Sequence, residues 1–336
     1  SVEGLDRSDP RRIGGRITLH GRLGSGGMGR VYYGVTDQYE QVAVKVIRAE
    51  LIDRDEVRER FARETEALRT VQGAHIASLV DASDADGEQP WLAMEFVRGL
   101  TLKEFVSERG PLSIEHAAAL GVLLADALHD IHAAGLLHRD LKPANIILGR
   151  DGPTVIDLGL VAFAEGPTDL TTSAAALGTP TCMAPEQALT PKQITAAADV
   201  HALGATLLYA WTGHYPYKAD TIVALMAKIV SADAPPDMSG LPDAFVAPVA
   251  AMLAHDPGAR PTVANARARL KALCDPLPAA TRALTLATYV ERESDPEDVP
   301  PRPRRRVDLS QVAPPGSVVA RLADRLRAAY AVTAPF

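Results

Sequence analysis

Between two apolar runs, Leu136-Leu137 and Ile146-Ile147-Leu148, the chain carries His138-Arg139-Asp140-Leu141-Lys142-Pro143-Ala144-Asn145. The flanks demand burial, while Arg139, Asp140, Lys142 and Asn145 cannot be buried without partners. A loop held rigidly by buried strands satisfies both demands, and such loops are where chemistry tends to live. An acid at 140, a lysine two residues on and an amide five residues on can serve one hydroxyl, one phosphate and one metal ion together.

A chain of 336 residues accommodates one large two-lobed domain or two ordinary ones. Its 47% hydrophobic and 23% charged residues describe a soluble globular protein with a sizeable core. The net charge of -7 argues against a general nucleic-acid partner. Cys182 and Cys274 are too far apart in sequence to suggest a disulfide framework or a metal cage. Two lone thiols fit a reducing, cytoplasmic compartment. Cys182 as a redox-sensitive thiol is the sharper alternative to an inert one. The charged first residues have no apolar core of a signal peptide. The most membrane-like run, Ile194 to Trp211, contains Asp199 and His201 and is expected to be a buried helix. A membrane link is therefore expected only through a region outside this chain.

Residues 1–14 are charged and without hydrophobic period, as in a flexible lead-in. Strand-like Ile17 to Leu23 leads into Gly24-Ser25-Gly26-Gly27-Met28-Gly29-Arg30-Val31. Glycines let backbone amides approach an anion closely. A dinucleotide-binding fingerprint needs a helix next. Here Val31-Tyr32-Tyr33-Gly34-Val35 follows, a second strand, so a glycine-rich hairpin lid is favoured. In Val42-Ala43-Val44-Lys45-Val46-Ile47, alternation points Ala43 and Lys45 the same way. A lysine in so apolar a strand needs a partner or a ligand, unless it reaches water at an edge. On the charged helix Arg54 to Thr70, Glu64 is the preferred partner of Lys45, with Glu56, Glu59 and Glu66 as competitors. Further strands at Ile76 to Asp84 and Gln89 to Met94 complete a five-stranded sheet. The segment Glu95-Phe96-Val97-Arg98-Gly99 then breaks the pattern as an inter-lobe linker, where backbone groups of Glu95 and Val97 suit an adenine edge and Met94 closes the pocket or is simply core.

Helices are expected at Thr101 to Ser107 and Ser113 to Ala134, the second buried. Two short strands, Ile146-Ile147-Leu148 and Thr154-Val155-Ile156, flank a Gly-Arg-Asp-Gly turn. Asp157-Leu158-Gly159 leaves the second strand, and an aspartate there can hold Mg²⁺ against phosphate oxygens together with Asn145. Ala162 to Cys182 lacks periodicity and offers Thr171, Thr172 and Ser173 as phosphate acceptors, with Arg139 as the matching cation. Glu186, after Met183-Ala184-Pro185, is expected to be buried against Arg260. Asp199, inside the buried helix, is expected to hydrogen-bond the backbone of the polar loop.

This ordered set resembles the protein kinase superfamily across residues 15–273. The segments Gly-Ser-Gly-Gly-Met-Gly and Met-Ala-Pro-Glu-Gln look like those of bacterial eukaryotic-like serine/threonine kinases, and Lys142 and Thr179 match the serine/threonine pattern. The resemblance implies an α+β bilobal fold. A small lobe, 15–95, would hold a five-stranded antiparallel sheet and one main helix, a hinge would span 96–100, and a mainly helical large lobe would span 101–273. It implies ATP between the lobes, against Leu23 to Val31, Ala43, Lys45, Met94, Glu95, Val97 and Ile147, with Mg²⁺ (or Mn²⁺) on Asn145 and Asp157. Lys45, held by Glu64, would orient the α/β-phosphates. Asp140 would take the proton of a protein Ser/Thr hydroxyl, and Lys142 would stabilise the transferred group. Arg139, Glu186, Asp199 and Arg260 would be structural. Autophosphorylation within a homodimer would activate the enzyme.

The resemblance stops after Leu273. Residues 274–316 are expected to form a Pro-rich charged linker, and 317–336 a short amphipathic helix with Val319, Leu322, Leu326 and Tyr330 on one face. Two other readings stay open: a pseudokinase scaffold, and a small-molecule phosphotransferase on the same fold. All of Lys45, Asp140 and Asp157 are present, against the first. The Gly178 to Glu186 segment favours a peptide acceptor, against the second.

Overall fold

The computed structural model describes residues 2–26, 29–52, 55–84, 87, 89–158, 180–292 and 295–296. The amphipathic segment expected at 317–336 lies outside the described residues.

The first lobe is an antiparallel sheet of β1 (Arg12–Ile13), β2 (Ile17–Gly26), β3 (Gly29–Thr36), β4 (Gln41–Ile47), β5 (Leu79–Ala82) and β6 (Trp91–Glu95). Their spatial order is β1-β2-β3-β4-β6-β5. The sheet has six strands where the sequence suggests five, because Arg12 and Ile13 pair with Thr18 and Ile17. Residues 2–14, expected to be a flexible lead-in, instead run along the outer edge of β2, with Glu3 bridged to Arg22.

Alternation explains the two faces. Val42, Val44 and Val46 of β4 join Ile17, Leu19, Tyr32, Trp91 and Ala93 in an outer apolar cluster. Ala43 and Lys45, between them, face the cleft as the pattern requires. The other side is covered by α1 (Asp55–Thr70), whose Phe61, Thr65 and Leu68 are buried at helical spacing.

The second lobe is helical. A short sheet of β7 (Leu100–Thr101), β8 (Ile146–Gly149) and β9 (Gly152–Val155) forms its cleft-side surface. Behind it lie α2 (Leu102–Arg109) and α3 (Ile114–Ala133). Then follow α4 (Pro185–Leu189), α5 (Ala196–Thr212), α6 (Ile222–Val230), α7 (Asp243–Met252), α8 (Val263–Lys271) and α9 (Leu277–Thr288). Helix α5 is buried over almost its whole surface, including Asp199 and His201. No helix among the described residues is long and apolar enough to cross a membrane.

Residues 277–288, expected to open a linker, form α9 and pack on α3, β8 and β9, with Leu284 fully buried. The lobes are tied beside the hinge by a parallel bridge between Ile76 and Val155, reinforced by the His75 ring on the Pro153 carbonyl at 2.9 Å.

Candidate active site

A cleft of about 570 Å³ lies between the two lobes. From above it is lined by Leu23, Gly24, Ser25, Gly26, Gly29, Val31, Ala43 and Lys45. The end of β6 and the hinge add Met94, Glu95 and Val97, and the floor supplies Asp140, Lys142, Asn145, Ile147 and Asp157. Residues far apart along the chain, from Leu23 to Asp157, thus converge on one space. Gly27 and Met28 lie outside the described residues, as do Thr171, Thr172, Ser173 and Thr179. Gly29 is dictated by packing, since a Cβ there would sit 1.9 Å from the Val46 carbonyl oxygen.

Arg30 departs from expectation. Alternation along β3 turns its side chain to the outer face with Tyr32, away from Val31 in the cleft, and it pairs there with Asp9 at 3.1 Å. Glu64 is half-buried on α1. Lys45 Nζ pairs with Asp157 Oδ1, at 3.5 Å.

The polar loop is held from several sides. Asp199, fully buried on α5, accepts the backbone N–H groups of His138 and Arg139, both at 2.9 Å, and the His132 ring at 2.7 Å. Burial alone would raise its carboxyl. The hydrogen bond from His132 and the other donors outweigh that, so it stays below the usual carboxylate range. His138 is also fully buried: its Nδ1 accepts the Asp140 N–H at 3.2 Å, so Nε2 carries the proton donated to the Ile156 carbonyl at 3.1 Å. It is a strut between the loop and the strand leading to Asp157, not a base. On the other side, Gln187 donates to the Arg139 carbonyl at 2.7 Å and accepts from Ala184 N–H.

These constraints hold two non-glycine residues in the left-handed region, Arg139 (φ 66°) and Asp157 (φ 58°). Such conformations cost energy and persist only where surroundings over-determine them. Each flanks a residue or carries a group expected to do chemistry. Asp140 Oδ2 receives Lys142 Nζ at 2.6 Å and Asn145 Nδ2 at 3.1 Å, and Asn145 Nδ2 also reaches the Asp140 carbonyl at 2.8 Å. With its nitrogen so engaged, Asn145 has its Oδ1 left for a cation. Asp157 supplies carboxylate oxygens to the same cleft. These are the hard oxygen donors a small divalent cation prefers.

Glu186 and Arg260 meet as expected, buried and bidentate, at 2.5 and 2.8 Å. Burial works to raise the Glu186 carboxyl, and the Arg260 guanidinium with backbone help more than reverses it. Cys182 is buried, and burial pushes its thiol up to about 12, which disfavours the reactive thiolate at neutral pH.

Sequence reasoning missed several cleft residues. Thr101 and Glu104 form a capping box at the start of α2, with Glu104 Oε2 at 2.8 Å from both Thr101 N and Oγ1. The motif Thr-x-x-Glu was legible. The second partner of Glu104, Arg292, comes from the segment after α9 and lines the cleft, as do Asp295 and, from the other terminus, Val2. Nothing local announces those three.

Comparison with known proteins supplies the wider setting. Residues 17–270 match the family model described as protein kinase domain. The chain is 44% identical over 242 residues to the serine/threonine-protein kinase AfsK of Streptomyces griseus, covering 72% of this chain and 29% of that one. It is 43% identical over 269 residues to the probable serine/threonine-protein kinase PkwA of Thermomonospora curvata, covering 80% and 35%. The chain thus spans about a third of the length of these relatives. The crystal structure of the Mycobacterium tuberculosis PknI kinase domain superposes with a TM-score of 0.61 at 25% identity, over 76% of this chain and 95% of that one.

Proposed function

The chain belongs to the protein kinase family, and on that footing we propose that it transfers the γ-phosphoryl group of ATP to serine and threonine hydroxyls of protein substrates. The carrying observation is the convergence of Lys45, Asp140, Lys142, Asn145 and Asp157 on one cleft. That its relatives are named serine/threonine-protein kinases supports the acceptor class.

On this reading the adenine lies among Leu23, Val31, Ala43, Met94 and Ile147, with its edge on the backbone of Glu95 and Val97. Lys45, steadied by Glu64, orients the α/β-phosphates under the glycine-rich hairpin. Asn145 and Asp157 would hold Mg²⁺ or Mn²⁺, which when bound neutralises charge on the phosphate oxygens. Asp140 orients the acceptor hydroxyl and receives its proton, and Lys142, 2.6 Å from that carboxylate, meets the transferred group. The chain's contribution is positioning and fixed charge, the main sources of rate in phosphoryl transfer.

Regulation and setting are part of the same proposal. Thr171, Thr172 and Ser173 are acceptors for autophosphorylation within a homodimer, and Arg139 pairs with the phosphate. The chain acts in the cytoplasm, with any membrane tether outside it. The test is phosphate transfer from γ-labelled ATP to a protein acceptor. Asp140→Asn should abolish transfer while nucleotide binding persists, and undiminished transfer would overturn the reading.

A further inference from the structure

The matched family region begins at residue 17, yet the chain before it is built into the glycine-rich hairpin. The Asp9 side chain is 0% exposed. Its carboxylate lies in ion pairs with Arg22 Nε at 2.6 Å and Arg30 Nη1 at 3.1 Å, and accepts hydrogen bonds from the Tyr32 hydroxyl at 2.9 Å and the Asp6 N–H at 2.8 Å. Arg22 belongs to β2 and Arg30 and Tyr32 to β3, the two strands that carry the hairpin. Asp9 therefore crosslinks both stems of the lid from outside.

A second contact is independent of this charge cluster. Glu3 exchanges two backbone hydrogen bonds with Arg22, each 2.8 Å. The chain there lies so close to β2 that a Cβ on Gly21 would stand 2.3 Å from Val2 Cγ1 and 2.7 Å from the Glu3 carbonyl oxygen. Val2 continues into the nucleotide cleft and helps line it. The β2–β3 pairing is irregular on both sides of this point, between Leu19 and Gly21 and between Arg22 and Gly24. The ladder alone does not fix the stem where the clasp grips it.

Neighbouring residues on a strand face opposite ways. Arg22 and Arg30 sit on the outer face under Asp9, and their neighbours Leu23 and Val31 line the cleft. We propose that residues 2–9 form a clasp that sets the height of the glycine-rich hairpin over ATP, with Asp9 as a positioning residue that itself contacts no substrate. This rests on the nucleotide reading of the cleft. An isosteric Asp9→Asn change removes the one charge shared by both arginines, leaving Arg22 with only its pair to Asp6 at 2.5 Å. The hairpin stem then loosens, and Leu23, Val31 and the amides of Gly24 to Gly26 lose their fixed placement above the nucleotide.

The test uses the full chain with two variants, Asp9→Asn and Glu3→Pro. The second deletes the N–H donated to Arg22 and leaves the buried carboxylate intact. In each folded variant, the KM for ATP and the Kd for magnesium AMP-PNP should rise together on the order of tenfold, a fraction of what misplaced groups can cost. The kcat at saturating ATP should hold, and amide exchange should accelerate in residues 21–31 but not in β4 or β6. Unchanged affinity, or unchanged exchange in 21–31 despite a lower Tm, would overturn the clasp and leave these contacts merely stabilising. Exchange is read without nucleotide. Its failure is therefore distinct from failure of wild type to bind AMP-PNP, which would strike the nucleotide reading itself.

Discussion

Arg260 reaches across 74 residues of sequence to close a two-pronged pair on Glu186, and every N–H of its guanidinium is used. Nη1 also donates to the Ala197 carbonyl at 2.8 Å, Nη2 to that of His255 at 3.2 Å and Nε to that of Ala254 at 2.7 Å. The pair therefore rivets α4 to the start of α5 and to the chain before α8. A buried pair with all its donors met is a registration device more than a source of net stability.

Arg260→Met should destabilise the fold by about 3–5 kcal/mol, because it strands a buried carboxylate. Arg260→Lys should recover little, since an ammonium cannot form the fork. Adding Glu186→Leu to Arg260→Met should restore part of the loss. Urea unfolding at pH 7 checks this, and a loss below 1 kcal/mol in Arg260→Met would contradict it.

Asp199 holds the polar loop by accepting two backbone N–H groups, those of His138 and Arg139, both at 2.9 Å. Asp199→Ala should cost about 2–5 kcal/mol for the two stranded donors. It should also lower kcat by on the order of a hundredfold through misplacement of Asp140. Steady-state kinetics below the variant's Tm separates the two effects. A destabilised variant with wild-type kcat would show that Asp199 supports the fold without positioning the loop.

His201 should make stability fall on mild acidification. Its ring is buried on α5, Nδ1 facing the Cys182 carbonyl at 3.3 Å and Nε2 without a partner among the described residues. Burial first, and the nearby Arg260 charge second, push its pKa down to about 4. Below its ordinary value near 6.5 the unfolded chain binds a proton that the folded chain refuses. Its contribution is therefore full above pH 6.5 and is lost as pH drops towards 4. Between pH 7 and 5 the loss should be about 2 kcal/mol. His201→Phe should remove that slope. Parallel stability curves for the two proteins over this range would refute the assignment.

Cys182 should resist alkylation in the native state at pH 7.5, reacting with iodoacetamide only as fast as the chain opens. Its thiol is buried and pushed up to about 12. Rapid labelling of Cys182 without unfolding, read by mass spectrometry, would contradict this.

The residues that line the cleft were legible in the sequence where they lie close together or break a pattern. Asp140, Lys142 and Asn145 fall within six residues, and Lys45 is exposed as anomalous by the valines around it. Periodicity found β4, α1, α3 and α5 for the same reason, since one strand or helix needs only its own spacing to show a buried face. It missed β1 and α9. Two residues are too few for a period, and α9 begins beside Pro276 and Pro278 in a stretch whose composition suggests a linker.

By itself the sequence determined the two-lobed kinase architecture and named most of the residues that line the cleft, because their types and order are those that phosphate, metal and proton chemistry would require. Only the tertiary structure decided what holds them. His132 beneath Asp199, Gln187 on the Arg139 carbonyl, Arg292 on Glu104 and Asp9 against Arg22 and Arg30 act over long stretches of chain or from outside the family's span. A charged residue in an unpatterned segment reads as solvated surface until the fold brings its partner. Whether such a charge is solvated or buried depends on contacts between distant segments, which local spacing does not encode.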